Sequence, residues 1–167
     1  MSGRIAKYGM LIALSFLLGY VETLIPFSVG IPGVKLGLAN VVTLVCLYQL
    51  GTGAAFWISL VRIVLVGFTF GNLSMLLYSL SGELLSLGVM CLCKRCEKLS
   101  PVGVSVAGGA AHNIGQLLVA MAVVWNRHLA YYAPFLLAAG TIAGVLIGVL
   151  GGLVIRRIPA EKERSTE

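Results

Sequence analysis

The sequence predicts an all-α integral membrane protein of six transmembrane helices. Three observations predict it. Of the 167 residues, 59% are apolar, more than a soluble core of this length can hide, so the bilayer is the natural solvent. Only 11% are charged, and the mean hydropathy is +1.00, where ordinary soluble domains carry about 25% charged residues. Apolar runs near the ~20 residues that a crossing helix needs also recur between breakers. Alternating ~10-residue segments, the mark of a β-barrel, are not seen.

The six runs cover residues 5–24, 36–50, 54–70, 73–93, 101–125 and 131–155. Pro26, Gly30, Pro32 and Gly33 separate the first two, then Gly51-Thr52-Gly53, then Gly71-Asn72. Charged residues around 94–98 and the Asn126-Arg127-His128 turn make the last two breaks. The second run is short for a full crossing. It borrows from the preceding loop or is irregular, as transporter helices often are. The first run follows Arg4 and Lys7 but exceeds the ~7–15 apolar residues of a signal peptide and lacks a small-residue cleavage site, so it reads as a retained helix. Residues 1–155 then form a single membrane domain, and 156–167 a charged cytoplasmic tail.

Basic residues set the orientation. Arg4, Lys7, Lys94, Arg95, Lys98, Arg156, Arg157, Lys162 and Arg164 fall on one side, while the other holds Lys35 and Arg127. Both termini are therefore expected in the cytoplasm of a multi-pass cell-membrane protein. The net charge of +6 is a topology signal plus attraction to anionic headgroups. It leaves nothing for a nucleic-acid partner to explain.

Small residues recur every fourth position at Gly140, Gly144, Gly148 and Gly152, and again at Gly103, Ala107, Ala111 and Gly115. Such stripes let backbones approach closely where lipid supplies no hydrophobic drive. They serve packing inside one bundle or docking to another subunit. Gly9 and Ala13 on the first run, flanked by Ala6, make a further pair that an N-terminal helix could present to a partner.

A charge at helix centre costs about 2.5–3.5 kcal/mol on insertion scales. Arg62, Glu83 and His112 all sit near the middle of their spans, and Asn113 and Gln116 extend the polar patch. Two readings overlap: an Arg62–Glu83 ion pair between adjacent antiparallel helices, and a cavity lining for a polar or anionic group. A proton-coupled role for His112 with Glu83 is a third use of the same groups. Nearer the outer surface lie Glu22, Lys35, Asn40 and Asn72. Residues 26–35 are apolar yet full of breakers. Exposed irregular backbone is not tolerated in hydrocarbon, so the segment is a lid folded over a pocket mouth or an ordinary interfacial loop, with Lys35 at its inner end facing an anionic ligand or snorkelling to lipid phosphate.

Some chemistry is excluded. All six acidic residues are Glu and there is no Asp, so Asp-rich metal sites are ruled out. Cys91, Cys93 and Cys96 form C-x-C-x-x-C without the further ligands a structural zinc site needs, so no metal is expected. No P-loop occurs, nor any G-x-S-x-G or H-E-x-x-H. ATP-driven work would need another protein, and no cofactor is indicated.

Three blocks carry a family resemblance: residues 31–40 (IPGVKLGLAN), Arg62 through the 71–75 segment GNLSM, and 100–105 (SPVGVS) with 108–116 (GGAAHNIGQ). Together they resemble the Gx transporter family, labelled heptaprenyl diphosphate synthase component I, from about Glu22 to Gly152. That family in turn looks like the substrate-binding S components of energy-coupling factor (ECF) transporters. The resemblance implies a six-helix bundle with cytoplasmic termini, a first-loop lid and an outward pocket. It also implies a transmembrane coupling subunit contacted through an A-x-x-x-A pattern on the first helix, here Gly9 to Ala13 with Gly in the first place. ATPase subunits would supply the energy.

The expected function is a substrate-binding membrane subunit of an importer for a vitamin or small metabolite, without catalytic residues of its own. Lys35, Asn40, Arg62, Glu83, His112, Asn113 and Gln116 are the candidate liners, and Gly9 and Ala13 the docking residues. The alternatives are a non-catalytic accessory of heptaprenyl diphosphate synthase and a proton-coupled secondary transporter. Prenyl elongation relies on Asp-rich motifs, so a chain without Asp cannot carry that chemistry alone.

Overall fold

The apolar runs fold into six α-helices. The computed structural model describes residues 2–24, 37–96 and 99–158; the expected lid at 26–35, including Lys35, and the tail from 159 onward lie outside them. The helices are α1 (Ser2–Leu24), α2 (Asn40–Gln49), α3 (Thr52–Phe70), α4 (Leu73–Arg95), α5 (Pro101–Val124) and α6 (Ala133–Arg157). A 3-10 segment, Arg127–Tyr132, precedes α6, and no strand occurs among the described residues. Five of the helices are long and apolar enough to cross a membrane.

Local chemistry sets the helix ends. Asn72 Oδ1 accepts the Met75 N–H at 2.8 Å and Ser100 Oγ accepts that of Gly103 at 3.3 Å, so α4 and α5 start with side-chain caps. Pro101 and Pro134 occupy first turns, where a missing N–H costs nothing. Pro134 also helps explain why α6 begins at Ala133 rather than at the expected residue 131. Lys94 and Arg95 close α4, and Arg156 and Arg157 close α6, which places cations at the negative ends of helix dipoles.

The second helix is shorter than the run that encodes it. Gly37 has φ +72°, a left-handed conformation open to glycine, and the chain turns tightly, with the Asn40 N–H reaching Gly37 O at 2.8 Å. Helix therefore starts at Asn40. Ten residues at about 1.5 Å each cover roughly half of a ~30 Å hydrocarbon core.

The packing is a ring with one helix outside it. α3 touches α4, α4 touches α5, α5 touches α6, α6 touches α2, and α2 returns to α3. α1 leans mainly on α3, with a smaller contact to α2. The centre is filled by Leu44, Cys46, Leu47, Leu87, Val104 and Ile147, all buried. The outside is more apolar than a soluble protein would permit, with Phe68, Leu73, Leu92, Ile142 and Leu153 exposed. Buried Ser15, Thr43, Ser59, Arg62, Glu83 and Asn113 lie within. Polar inside and apolar outside is the pattern of a bundle solvated by lipid.

Glycines set how closely α5 and α6 approach. A Cβ added at Gly140 would lie 2.5 Å from Gly109 O, and at Gly144 or Gly148 it would lie 2.7 Å from the Cα of Val106 or Val102. Three of the four stripe residues on α6 thus serve packing within the bundle. Gly152, the fourth, faces open space. Gly115 on α5 turns the other way, against Ser81 and Gly82 of α4. A Cβ at Gly103 would lie nearest to Leu99 and Ser100, just before α5.

Candidate functional site

The charged residues of the spans meet at the centre of the ring. Arg62 projects from α3 and Glu83 from α4, and an Arg62 Nη2 donates to Glu83 Oε2 at 3.1 Å. Only 8% of Arg62 and 4% of Glu83 is exposed. The other carboxylate oxygen, Oε1, accepts the Thr43 hydroxyl of α2 at 3.1 Å. Ser59, one turn before Arg62 on the same face of α3, shares a hydrogen bond of 2.8 Å with Thr43. His112 of α5 brings Nδ1 to 3.9 Å from Glu83 Oε2. Four helices thus converge on one carboxylate. A buried ion is tolerated when a counter-ion and further hydrogen bonds surround it. Arg62 Nε is buried with no hydrogen-bond partner among the described residues, so Glu83 does not use all of the guanidinium's donors.

A cavity opens on the other side of Arg62. Its volume is about 70 Å³. All six helices contribute to it: Gly19 and Glu22 from α1, Asn40 from α2, Arg62 and Phe70 from α3, and Met75 and Ser79 from α4. His112, Asn113 and Gln116 come from α5, and Gly140, Ala143 and Ile147 from α6. The cavity lies at the end where α1 and α3 finish and α2, α4 and α6 begin. The basic ends of α4 and α6 are at the opposite end.

Five of the seven liners expected from sequence share this cavity: Asn40, Arg62, His112, Asn113 and Gln116. Glu83 stands behind Arg62, lining instead a narrow crevice with Phe56, Ser59 and Leu87. Lys35 lies outside the described residues. Arg62 and Glu83 thus form an ion pair, and Arg62 also lines the cavity.

The α5 residues are held in place individually. Gln116 Nε2 is 3.2 Å from His112 Nε2, as their one-turn spacing allows. Asn113 Nδ2 donates to Leu136 O of α6 at 2.7 Å, leaving its Oδ1 as an acceptor. Gly82 of α4 makes room for this row, since a Cβ there would lie 2.9 Å from both Gln116 Cγ and His112 O. At the mouth, Glu22 accepts the Gly37 N–H, joining the end of α1 to the turn before α2.

Reading the sequence for full charges missed several of these contributors. Thr43 and Ser59 are too common in membrane helices to stand out, yet they share the depth of Glu83, which is the one signal that could have found them. Ser79 and Met75 carried no signal at all.

The opposite end of α2 is tied down. Lys94 Nζ donates to Leu47 O at 2.6 Å and sits 5.1 Å from the centre of the Tyr48 ring. Gln49 Nε2 reaches Ile158 O at 2.7 Å and Ile155 O at 3.2 Å. These bonds satisfy carbonyls at two helix ends that would otherwise lack partners. Cys91, Cys93 and Cys96 are free thiols nearby, and Cys91 Sγ lies 3.6 Å from Thr52 Oγ1. On α1, Gly9 and Ala13 are exposed, and a Cβ at Gly9 would meet nothing within 4 Å.

Residues 11–154 match the family model described as heptaprenyl diphosphate synthase component I. The chain belongs to that family. The match runs from the first half of α1 to the last turns of α6, so it takes in the cavity and every described residue around it. No curated protein and no solved structure matches the chain. The family description associates its members with a synthase, while the membrane bundle, the buried pair and the cavity are features of this chain itself.

Proposed function

We propose that this chain is the substrate-binding membrane subunit of an ECF-type importer for a vitamin or small metabolite. The observation that supports this best is the cavity beside Arg62, to which every helix contributes and which lies toward one end of the bundle. Binding sites between helices typically combine an apolar wall with a few convergent polar groups. Here Asn40, Arg62, His112, Asn113 and Gln116 are the polar groups.

The basic residues favour cytoplasmic placement of the end opposite the cavity, which turns the cavity outward for capture. With no P-loop in the chain, energy comes from ATPase subunits through a transmembrane coupling subunit. The exposed small residues of α1 suit that contact, because Gly9 and Ala13 let another helix come close. Replacing both with Leu should lower recovery of the coupling subunit at least about tenfold, the effect of about 1.4 kcal/mol. The melting temperature should not change, since both residues are exposed and a Cβ at Gly9 meets nothing among the described residues. Equal recovery with the double variant, measured by affinity purification from membranes, would place the docking face elsewhere.

A second reading follows from the family description: a non-catalytic membrane accessory of heptaprenyl diphosphate synthase. It agrees with the lack of Asp, because an accessory need not bind the magnesium diphosphate itself. It predicts that the chain binds the catalytic subunit of a prenyl synthase and changes its product length. If it does neither, that reading fails.

A further inference from the structure

Arg62 and His112 share one carboxylate oxygen. Glu83 Oε2 lies 3.1 Å from Arg62 Nη2 and 3.9 Å from His112 Nδ1, while Oε1 accepts the Thr43 hydroxyl. Arg62 and His112 both line the cavity, whereas Glu83 does not. A ligand there meets the guanidinium and the imidazole, with the carboxylate behind them. The guanidinium also has donor capacity to spare, because the buried Nε has no hydrogen-bond partner among the described residues. Buried polar groups in native structures are nearly always satisfied, so an incoming oxygen answers an unmet need at Arg62.

A carboxylate oxygen needs a cation of its own, since Arg62 is already matched by Glu83 and unmatched charge is costly at this depth. His112 can become that cation. A neutral imidazole has one N–H and one acceptor nitrogen, and a protonated one has two N–H groups. Nδ1 faces Glu83 Oε2, and Nε2 lies 3.2 Å from Gln116 Nε2. In the neutral ring this second contact is a hydrogen bond from the amide to Nε2, with the proton on Nδ1. After protonation Nε2–H donates instead, to a ligand oxygen or to the Gln116 carbonyl once the amide has turned over. The charged groups around His112 come from three helices: Glu83 from α4, Arg62 from α3, and at the mouth Glu22 from α1, where it accepts the Gly37 N–H. α2 and α6 add no titratable side chain to the described wall, and Arg127 and His128 of the 3-10 segment do not line it.

We infer that the cavity binds a small monocarboxylate with its oxygens toward Arg62, and that His112 takes up one proton from water as the ligand enters. One negative charge is thereby balanced by one proton. The apolar wall at Phe70, Met75 and Ile147 takes the rest of the molecule. A water occupies about 10–15 Å³ of such space, so about 70 Å³ holds roughly five to seven waters, enough room for a molecule the size of benzoate. This rests on the substrate-binding reading above and names the ligand class of that site.

Benzoate and benzamide test it, because they share one flat shape and differ by one charge. The full chain is placed in nanodiscs of uncharged phosphatidylcholine, and binding is measured by equilibrium dialysis at pH 6 and pH 8. Benzoate should bind at least about tenfold more tightly than benzamide at pH 6. Its affinity should fall at least about tenfold by pH 8, because the proton that enters with it becomes scarcer, while that of benzamide should stay within about twofold. Calorimetry in buffers of different ionisation enthalpy should show proton uptake with benzoate. His112→Gln should remove the pH dependence, and His128→Gln, which alters the other histidine of the chain, should keep it. Arg62→Lys retains a cation beside Glu83 but loses the planar fork, and should weaken benzoate binding at least about tenfold. Benzamide binding as tightly as benzoate at pH 6 overturns the inference. So does a benzoate affinity equal at the two pH values, a pH dependence that survives His112→Gln or is lost in His128→Gln, full affinity in Arg62→Lys, or no benzoate binding at millimolar concentration. Selectivity and proton uptake are read on the unaltered chain, so they decide the matter even where a variant fails to fold.

The transport reading is judged separately, by partner recovery. A chain that binds benzoate with proton uptake but recruits no coupling subunit upholds the inference and overturns transport. A chain that recruits the coupling subunit but shows neither the preference nor the uptake does the reverse.

Discussion

Replacing Glu83 with Leu should lower the stability of the bundle by about 3–5 kcal/mol, the cost of stranding one member of a buried ion pair. Arg62 would keep its charge and lose its carboxylate partner at 3.1 Å, with only 8% of the residue exposed. The double variant Arg62→Met/Glu83→Leu should recover most of that loss. Apolar residues of similar volume often replace a buried pair without penalty. Thr43 and Ser59 would keep their mutual hydrogen bond of 2.8 Å. Reversible unfolding in mixed micelles measures both variants. A double variant no more stable than the single would mean that the pair does not set the cost.

The second large effect belongs to the α5–α6 contact. Gly140→Ala places a Cβ 2.5 Å from Gly109 O and 2.9 Å from Asn113 Nδ2. Neither neighbour is the loose end of a flexible chain: one is helix backbone, and the other is held by its bond to Leu136 O. The helices must separate, or that bond must break. Overpacking of this kind costs about 1–3 kcal/mol, occasionally more, and the upper part of that range is expected here because the obstruction is backbone. Gly152→Ala on the same stripe is the control. Nothing lies within 4 Å of its Cβ, and alanine favours helix over glycine by about 0.8–1 kcal/mol, so that variant should be neutral or slightly more stable. Thermal melting in one detergent compares the two, and equal loss at both sites would refute the packing account.

The sequence reveals the bundle because lipid imposes a simple rule: apolar runs of crossing length become helices. It is less informative where local geometry intervenes. The left-handed turn at Gly37 shortened α2 to begin at Asn40, and Pro134 moved the start of α6. Neither shift is visible in hydropathy. The polar site was legible in part for a related reason. A charge in a membrane span needs a partner, so Arg62 and Glu83 pointed to each other from sequence, and His112 and Gln116 shared a helix face.

What could not be read was which side of the pair faces a cavity. That depends on how α1 leans against α3 and on glycines such as Gly82 that make room for the α5 row, both of which are matters of tertiary packing. The stripe Gly140–Gly144–Gly148 was ambiguous for the same reason. Small residues announce a close approach without naming the neighbour, and only the position of α5 assigns it.

The most direct test is to purify the full chain from its own membranes in mild detergent and weigh the intact assembly by native mass spectrometry. The account predicts a complex of this chain with a transmembrane coupling subunit and ATPase subunits, together with a bound small molecule. Recovery instead of a prenyl synthase catalytic subunit, with no coupling subunit present, would contradict it.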